Sequence, residues 1–443
     1  MRKSFLEFYD SFYFIGIGGV SMSGLAKYIL SCGKKVGGSD NFSGIYTEEL
    51  SKLGAKVEIA ESKGSVKLYD VVIYTDAVKE NDIQLIEARE LNKTILSRGQ
   101  LLYEVSRDFK KVIAVSGCHG KTTCTAMLAH VFACAGAKFG VHIGGRDKSF
   151  LNSFYSGRDF FITEACEYKK NFLLLKPDIA VILNSAPDHL ECYGSVENLR
   201  AAYTHFADSA EIAIVPYGDL KVEGLTFGYE KSARFCAKHV VCRNGFYSFT
   251  VLDGDVKLGN ISLNVYGKHN VLNALAVVAA ARSAGISFAR IKEGLADFTG
   301  VERRFENIGK FKGARCIADY AHHPDEISAT LSAVKKLNEG KLFVIFQPHT
   351  YSRTRNLFRE FVKVLSGINN LLIYRTFAAR EYFDDKGSAL TLSQSVKRSR
   401  YGDCAADIIE FLRCAGEEDT VLFLGAGDIY DIAKYIINMH KNK

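Results

Sequence analysis

The stretch Val115-Ser116-Gly117-Cys118-His119-Gly120-Lys121-Thr122-Thr123 constrains this chain more than any other. It ends an apolar, strand-like run over residues 112–116 and opens a helical pattern over residues 123–135. A glycine-rich turn in that setting aims backbone N–H groups and a helix N-terminus at an anion. Lys121 is placed to reach the β- and γ-phosphates of a nucleotide, and the Thr122 hydroxyl to sit on Mg2+. Val115 stands where the longer phosphate-loop pattern has its first glycine. A chance Gly-Lys-Thr turn is the alternative; the strand before and the helix after favour nucleotide phosphate binding.

Around this loop runs a rhythm of short apolar runs and helical stretches. A first series has strands at residues 11–16, 71–74 and 94–96, with helices at 22–32, 82–91 and 100–106. A second begins at residue 112. Its runs at 160–163 and 179–184 are continuously apolar, as buried parallel strands are. Residues 247–265 alternate around Asp253-Gly254 and predict a hairpin, and the Ala-rich residues 270–284 predict a helix. A third series has strands at 315–318, 342–347, 371–375 and 420–424. Three α/β domains result, at residues 1–107, 108–298 and 299–443, which suits 443 residues at about 150 per domain.

Composition narrows the function. With 47% hydrophobic and 24% charged residues, the chain is neither disordered nor fibrous. A net charge of +7 without a block of five like charges argues against nucleic acid and for a solvated surface with anion-binding pockets. No apolar run approaches a membrane span, and Glu7 and Asp10 interrupt any export signal. The expectation is a cytoplasmic protein without membrane insertion. Its eleven Cys, with no C-x-x-C pair, are then reduced and mostly small core hydrophobes.

Polar residues follow the strands, where ligands of parallel α/β sheets gather. Glu164 and Glu167 follow the run at 160–163, and Asp188 and His189 the run at 179–184. Asp319, Tyr320, His322 and His323 follow 315–318, and Gln347, His349 and Arg353 follow 342–346. His189 could help hold Mg2+ against a nucleotide; since Mg2+ prefers oxygen, a helix cap or loop hydrogen bond is an equal reading. The first glycine-rich turn, Gly16-Ile17-Gly18-Gly19-Val20-Ser21-Met22-Ser23-Gly24, resembles a dinucleotide fingerprint with Ser21 for its third glycine and Asp40 further on. It points to a diphosphate-containing ligand, or to a tight turn with no ligand.

Together these pieces resemble the Mur ligases over nearly the whole chain. The landmarks run in order: Phe14 to Ala26, Gly117 to Thr123, Glu164-Ala165-Cys166-Glu167, Asn184 to His189, Gly267-Lys268-His269-Asn270-Val271-Leu272-Asn273, Gly300 to Phe305, Asp319 to Pro324 and Gln347 to Thr354. The resemblance implies a Rossmann-like N-terminal domain, a central P-loop ATPase domain and a Rossmann-like C-terminal domain. It implies ATP-dependent joining of the lactyl carboxylate of UDP-N-acetylmuramate to the amine of L-alanine, through an acyl phosphate, by a monomer or weak homodimer. It makes Lys121, His189 and Arg303 catalytic. Gly117, Cys118, His119, Gly120, Lys121, Thr122 and Thr123 would hold ATP phosphates, with Arg304. His269, Asn270 and Asn273 would hold adenine, and Asp319 the ribose. Mg2+ would sit on Thr122, Glu164 and His189. Gly18, Gly19, Ser21, Met22, Ser23, Gly24, Ser39 and Asp40 would seat the UDP-sugar, and Tyr320, His322 and Arg353 the amino acid.

Later-acting members of the family carry a carbamylated Lys that residues 195–210 lack. That argues for the alanine-adding type or a peptide-recycling relative, and Tyr320 and Glu326 favour the former. A catalytically weak nucleotide-binding regulator and an NAD-dependent dehydrogenase are rivals from other classes. Thr350 departs from the family's usual Arg, which predicts an altered amino-acid preference. Ser185-Ala186 replaces the usual Ile-Glu.

Overall fold

The computed structural model describes residues 4–59, 65–187, 190–338, 340–379 and 381–441. The chain divides into two compact units. One comprises Met1–Val241, Ser248–Asn264 and Val271–Thr299; the other comprises Cys242–Tyr247, Val265–Asn270 and Gly300–Lys443.

The first unit opens with a five-stranded sheet among the described residues. Its strands are β1 (Ser11–Ile15), β2 (Lys35–Asp40), β3 (Lys56–Ile59), β4 (Val71–Tyr74) and β5 (Thr94–Ser97), in the order β3-β2-β1-β4-β5 and parallel throughout. The order reverses between β1 and β4, so the turn after β1 lies at a topological switch point. Two strands lack the apolar signature on which sequence reading depends. In β2 a Cβ on Gly37 would lie 2.0 Å from the Tyr69 hydroxyl oxygen, and one on Gly38 2.4 Å from the Phe14 carbonyl. Glycines there answer close packing rather than strand propensity.

A ten-stranded sheet follows. Its strands are β6 (Lys111–Ser116), β7 (Phe139–Asp147), β8 (Leu151–Tyr155), β9 (Phe160–Glu164), β10 (Ile179–Ile182), β11 (Ile212–Pro216), β12 (Leu225–Gly228), β13 (Phe235–Arg243), β14 (Phe246–Asp253) and β15 (Val256–Tyr266). The order is β15-β14-β13-β12-β11-β10-β6-β9-β7-β8. β14 and β15 form the expected hairpin neighbours, and β6 lies between β10 and β9, parallel to both. β10 stops at Ile182, two residues short of the expected Asn184, whose side chain instead donates to the His119 carbonyl at 2.9 Å. One apolar core runs through both sheets. It joins Phe12, Phe14 and Ile73 to Val112, Phe161 and Ile182, with Leu101 and Val105 of the helix Arg98–Ser106.

The second unit holds a six-stranded sheet of β16 (Glu306–Phe311), β17 (Ala314–Asp319), β18 (Leu342–Phe346), β19 (Asn370–Tyr374), β20 (Ser399–Gly402) and β21 (Thr420–Leu424). The order is β16-β17-β21-β18-β19-β20, with only β16 antiparallel. Residues alternate between two cores: Phe343 and Ile345 enter one, Val344 and Phe346 the other. Both faces are covered, as a parallel sheet requires.

The cysteines correct the expectation drawn from composition. All are free, but only Cys124, Cys236 and Cys316 are buried, while Cys242, Cys404 and Cys414 are exposed. The buried helix faces are lined instead by small residues such as Ala126, Ala129, Ala276 and Ala280, and most thiols lie outside the core. Among the described residues no helix is long and apolar enough to cross a membrane.

Candidate active site

The loop after β6 begins and ends with glycines in backbone conformations that other residues rarely adopt. Gly117 has φ 127° and Gly120 φ 89°. A Cβ on Gly120 would also lie 2.8 Å from Asn273 Oδ1. The helix Lys121–Cys134 starts immediately after the loop with Gly120 as its N-cap and no side-chain cap, which leaves its first N–H groups for a ligand. Thr122 is buried in its first turn.

Lys121 folds back over the loop. Its ammonium donates to the Gly117 carbonyl at 2.5 Å, to the Cys118 carbonyl at 3.1 Å and to Glu167 Oε1 at 2.9 Å. Burial works to discharge the ammonium, but the Glu167 carboxylate outweighs it and holds the pKa above the ordinary lysine value. Glu167 is 1% exposed, and its Oε2 has no partner among the described residues. The ammonium is thus charged and held beside the loop by a counter-ion.

Glu164, at the end of β9, accepts a close hydrogen bond from the Gly144 N–H. Asp188 and His189 lie outside the described residues. Among those described, no three His, Cys, Asp or Glu side chains form a metal-holding group. The Thr122 hydroxyl and Glu164 carboxylate are oxygen donors, which suits Mg2+.

At the first glycine-rich turn, Gly16 and Ile17 donate to the Ser39 carbonyl at 2.8 and 3.0 Å, and Gly18 donates to Asp40 Oδ2 at 2.8 Å. Gly19 precedes the helix Val20–Ser31. The predicted residues divide here. Gly18, Gly19, Ser21 and Asp40 form the turn and its surroundings. Met22, Ser23 and Gly24 are buried in the helix. The Ser39 hydroxyl is turned inward to Gln84 at 2.7 Å, so Ser39 meets the turn through its backbone.

In the second unit Asn270 donates to the Tyr266 carbonyl at 2.7 Å. A cavity of about 150 Å³ opens beside His269, bordered by Tyr247, Gly267, Lys268, Ser332 and Lys336. Arg303, with φ 64°, bonds the Gly427 carbonyl and lies 4.8 Å from the Tyr430 ring centre. Arg304 lies at the same distance from the Tyr320 ring. Asp319 accepts from the N–H groups of Phe305 and Ala321, both at 2.8 Å; burial pushes its pKa up to about 6.

Next to it His322 Nδ1 lies 2.9 Å from the Tyr320 carbonyl, and its ring centre 5.7 Å from that of His349. Arg353 Nη1 lies 3.2 Å from His349 Nδ1. Burial lowers the pKa of both imidazoles, that of His349 to about 3, with the Arg353 charge adding to the effect. A guanidinium beside two neutral imidazoles is a setting for a small carboxylate. His349 and Glu167 complete these sites and were legible only as polar residues after strands.

Three family models match the chain in order. The model described as "Mur ligase family, catalytic domain" matches residues 11–110, "Mur ligase middle domain" residues 115–281 and "Mur ligase, glutamate ligase domain" residues 303–427. A UDP-N-acetylmuramate–L-alanine ligase of Clostridium acetobutylicum is 36% identical over 445 residues, covering 96% of this chain and 97% of its own. The enzyme of that name from Acetivibrio thermocellus is 36% identical over 446 residues, covering 96% and 95%. Among solved structures, a UDP-N-acetylmuramate-alanine ligase of Thermotoga maritima superposes with TM-score 0.86 at 29% identity, over 98% of this chain and 99% of that one. A murein peptide ligase of Psychrobacter arcticus shares the fold at TM-score 0.76 and 22% identity, over 98% and 99%.

Proposed function

The chain belongs to the Mur ligase family, and from that membership we propose that it joins L-alanine to the lactyl carboxylate of UDP-N-acetylmuramate at the expense of ATP, in peptidoglycan precursor synthesis. Relatives bearing that activity in their names, 36% identical across 96% of the chain, support the substrates. The observation that carries the reaction type is Lys121, kept charged by Glu167 and folded back over a loop bounded by Gly117 and Gly120.

The carboxylate oxygen attacks the γ-phosphorus, the bond to the ADP oxygen breaks, and an acyl phosphate forms. The alanine amine then attacks the acyl carbon, loses a proton and expels phosphate. Two anions must meet in the first step, and Lys121 with the helix N-terminus stabilises the charge on the transferring group. Thr122, Glu164 and His189 would hold Mg2+, which neutralises phosphate charge when bound. His322 and Arg353 receive the alanine carboxylate. The pKa values of His322 and His349 are lowered, so the anion meets the guanidinium next to neutral rings.

Residues 1–107 serve the sugar nucleotide, 108–298 ATP, and 299–443 the amino acid. His269, Asn270 and Asn273 hold adenine, Asp319 the ribose, and Arg303 or Arg304 the ATP phosphates. The test is ADP and phosphate release by the purified chain with ATP, magnesium and UDP-N-acetylmuramate, across a panel of amino acids and a tripeptide. Release dependent on L-alanine is expected. Release with the tripeptide alone would assign the recycling reaction instead.

A further inference from the structure

Ser21, the second residue of the helix Val20–Ser31, meets two groups from distant parts of the first unit. Its Oγ lies 2.8 Å from His142 Nε2 on β7, and Arg98 Nη1 donates to it at 3.3 Å. His142 is 2% exposed, and its Nδ1 is buried without a partner among the described residues. That nitrogen faces the helix backbone: a Cβ on Gly24 would lie 2.8 Å from it. Burial, reinforced by the Arg98 charge, holds the His142 pKa down to about 3, so the ring is neutral and carries one proton.

The hydrogen-bond network assigns that proton. On Nδ1 it would be a buried donor with no acceptor; on Nε2 it leaves only a bare lone pair on Nδ1. An orphaned N–H is the costlier fault, so Nε2–H donates to Ser21. Arg98 can only donate. Both lone pairs of the Ser21 hydroxyl are then filled, and its own proton must point to a further acceptor. The described residues supply none. Among the described residues the half-buried Arg98 guanidinium has no carboxylate partner, and Ser21 is its one hydrogen-bond partner there. A hydroxyl proton and guanidinium N–H groups left without acceptors among the described residues, beside a fixed positive charge at the switch point of the first sheet, suit an anion.

We propose that Ser21 Oγ–H and the Arg98 guanidinium bind an anionic group of the sugar nucleotide, and that His142 is a positioning residue that fixes the direction of the Ser21 proton. The proposal rests on the sugar-nucleotide reading above. The anion is either the diphosphate or the lactyl carboxylate, which share this chemistry.

Titration calorimetry of the full chain and its variants with UDP, UDP-N-acetylglucosamine and UDP-N-acetylmuramate tests it. Arg98→Gln and Ser21→Ala are expected to weaken UDP-N-acetylmuramate binding at least tenfold, with Arg98→Lys between them and wild type. Melting temperature and the KM for ATP stay unchanged. Equal losses with all three probes assign the diphosphate; a loss confined to the muramate, the one probe with a carboxylate, assigns that group. His142→Ala is expected to raise the KM for the sugar nucleotide at unchanged saturating kcat, and His142→Gln, which restores a donor, to recover part of it. Undiminished binding by Arg98→Gln and Ser21→Ala, with wild type binding normally, overturns the proposal alone. Wild type binding none of the probes overturns the sugar-nucleotide reading and this proposal with it.

Discussion

Lys121 and Glu167 depend on each other, and this decides how the lysine should be tested. Glu167 is almost wholly inaccessible, and Lys121 is its counter-ion. Removing the ammonium alone strands a buried carboxylate, a loss of about 3–5 kcal/mol for pairs of this kind. Lys121→Met is therefore expected to abolish ADP release and to lower the melting temperature. Adding Glu167→Gln removes the stranded charge and should restore most of the melting temperature while ADP release stays absent. Recovery of ADP release in the double variant would remove Lys121 from the reaction. Thr350 calls for a similar separation. Its φ of 65° and ψ of 142° are strained for a β-branched residue, and its hydroxyl caps the helix Tyr351–Asn356 by accepting from the Arg353 N–H at 3.4 Å. From the family pattern alone, arginine at 350 should tighten alanine binding. The cap turns that expectation round: Thr350→Arg loses about 1 kcal/mol of helix capping and loosens the start of the helix that carries Arg353. A raised KM for alanine, with a lower melting temperature, is the expected result; a lowered KM would show that position 350 reaches the amino acid directly.

At the scale of elements, legibility followed apolar patterning. β4 and β21 have the predicted limits because each is a short, continuously apolar strand. β2 went unread because Gly37 and Gly38 serve packing, and β3 because it is a four-residue edge strand in which only Val57 and Ile59 are apolar, too short for its alternation to stand out. The phosphate loop was readable because its chemistry is local in sequence: glycines, lysine and threonine follow one another. Glu167, His142 and Arg98 were not, because their roles arise only where separate elements meet. The same distinction governs Gly294 in the helix Phe288–Asp297. Helix propensity favours alanine over glycine there by up to about 1 kcal/mol. A Cβ, however, would lie 2.4 Å from Val131 Cα and 2.7 Å from its N, in the helix of the phosphate loop. Backbone cannot yield as a side chain can, so the overpacking cost of about 1–3 kcal/mol outweighs the gain. Gly294→Ala should lower the denaturant midpoint at unchanged slope; an increase would mean that the two helices can separate without cost.

For the molecule as a whole, the continuous core of the first two sheets explains why they behave as one compact unit although the strand rhythm suggested separate domains. That unit also contains a clamp with a sign that can be worked out. His130, on the phosphate-loop helix, presents Nδ1 to Asp297 at 2.7 Å and Nε2 to Asp147 at 3.2 Å. Both partners are carboxylates, so the ring satisfies both only as the imidazolium. Burial opposes its charge, but Asp147 and Asp297 outweigh burial and raise the pKa above the ordinary histidine value. A histidine whose pKa is higher folded than unfolded binds its proton more tightly in the native state. Its contribution to stability is complete below about pH 6.5, the unfolded value, and is lost as pH rises through the raised native value. His130→Gln cannot take up that proton and lacks this dependence. The stability difference between wild type and His130→Gln should therefore be largest in mild acid and shrink as the medium becomes alkaline. Urea unfolding of both proteins across that range measures it directly, and a difference independent of pH would mean that His130 joins the two aspartates as a neutral ring.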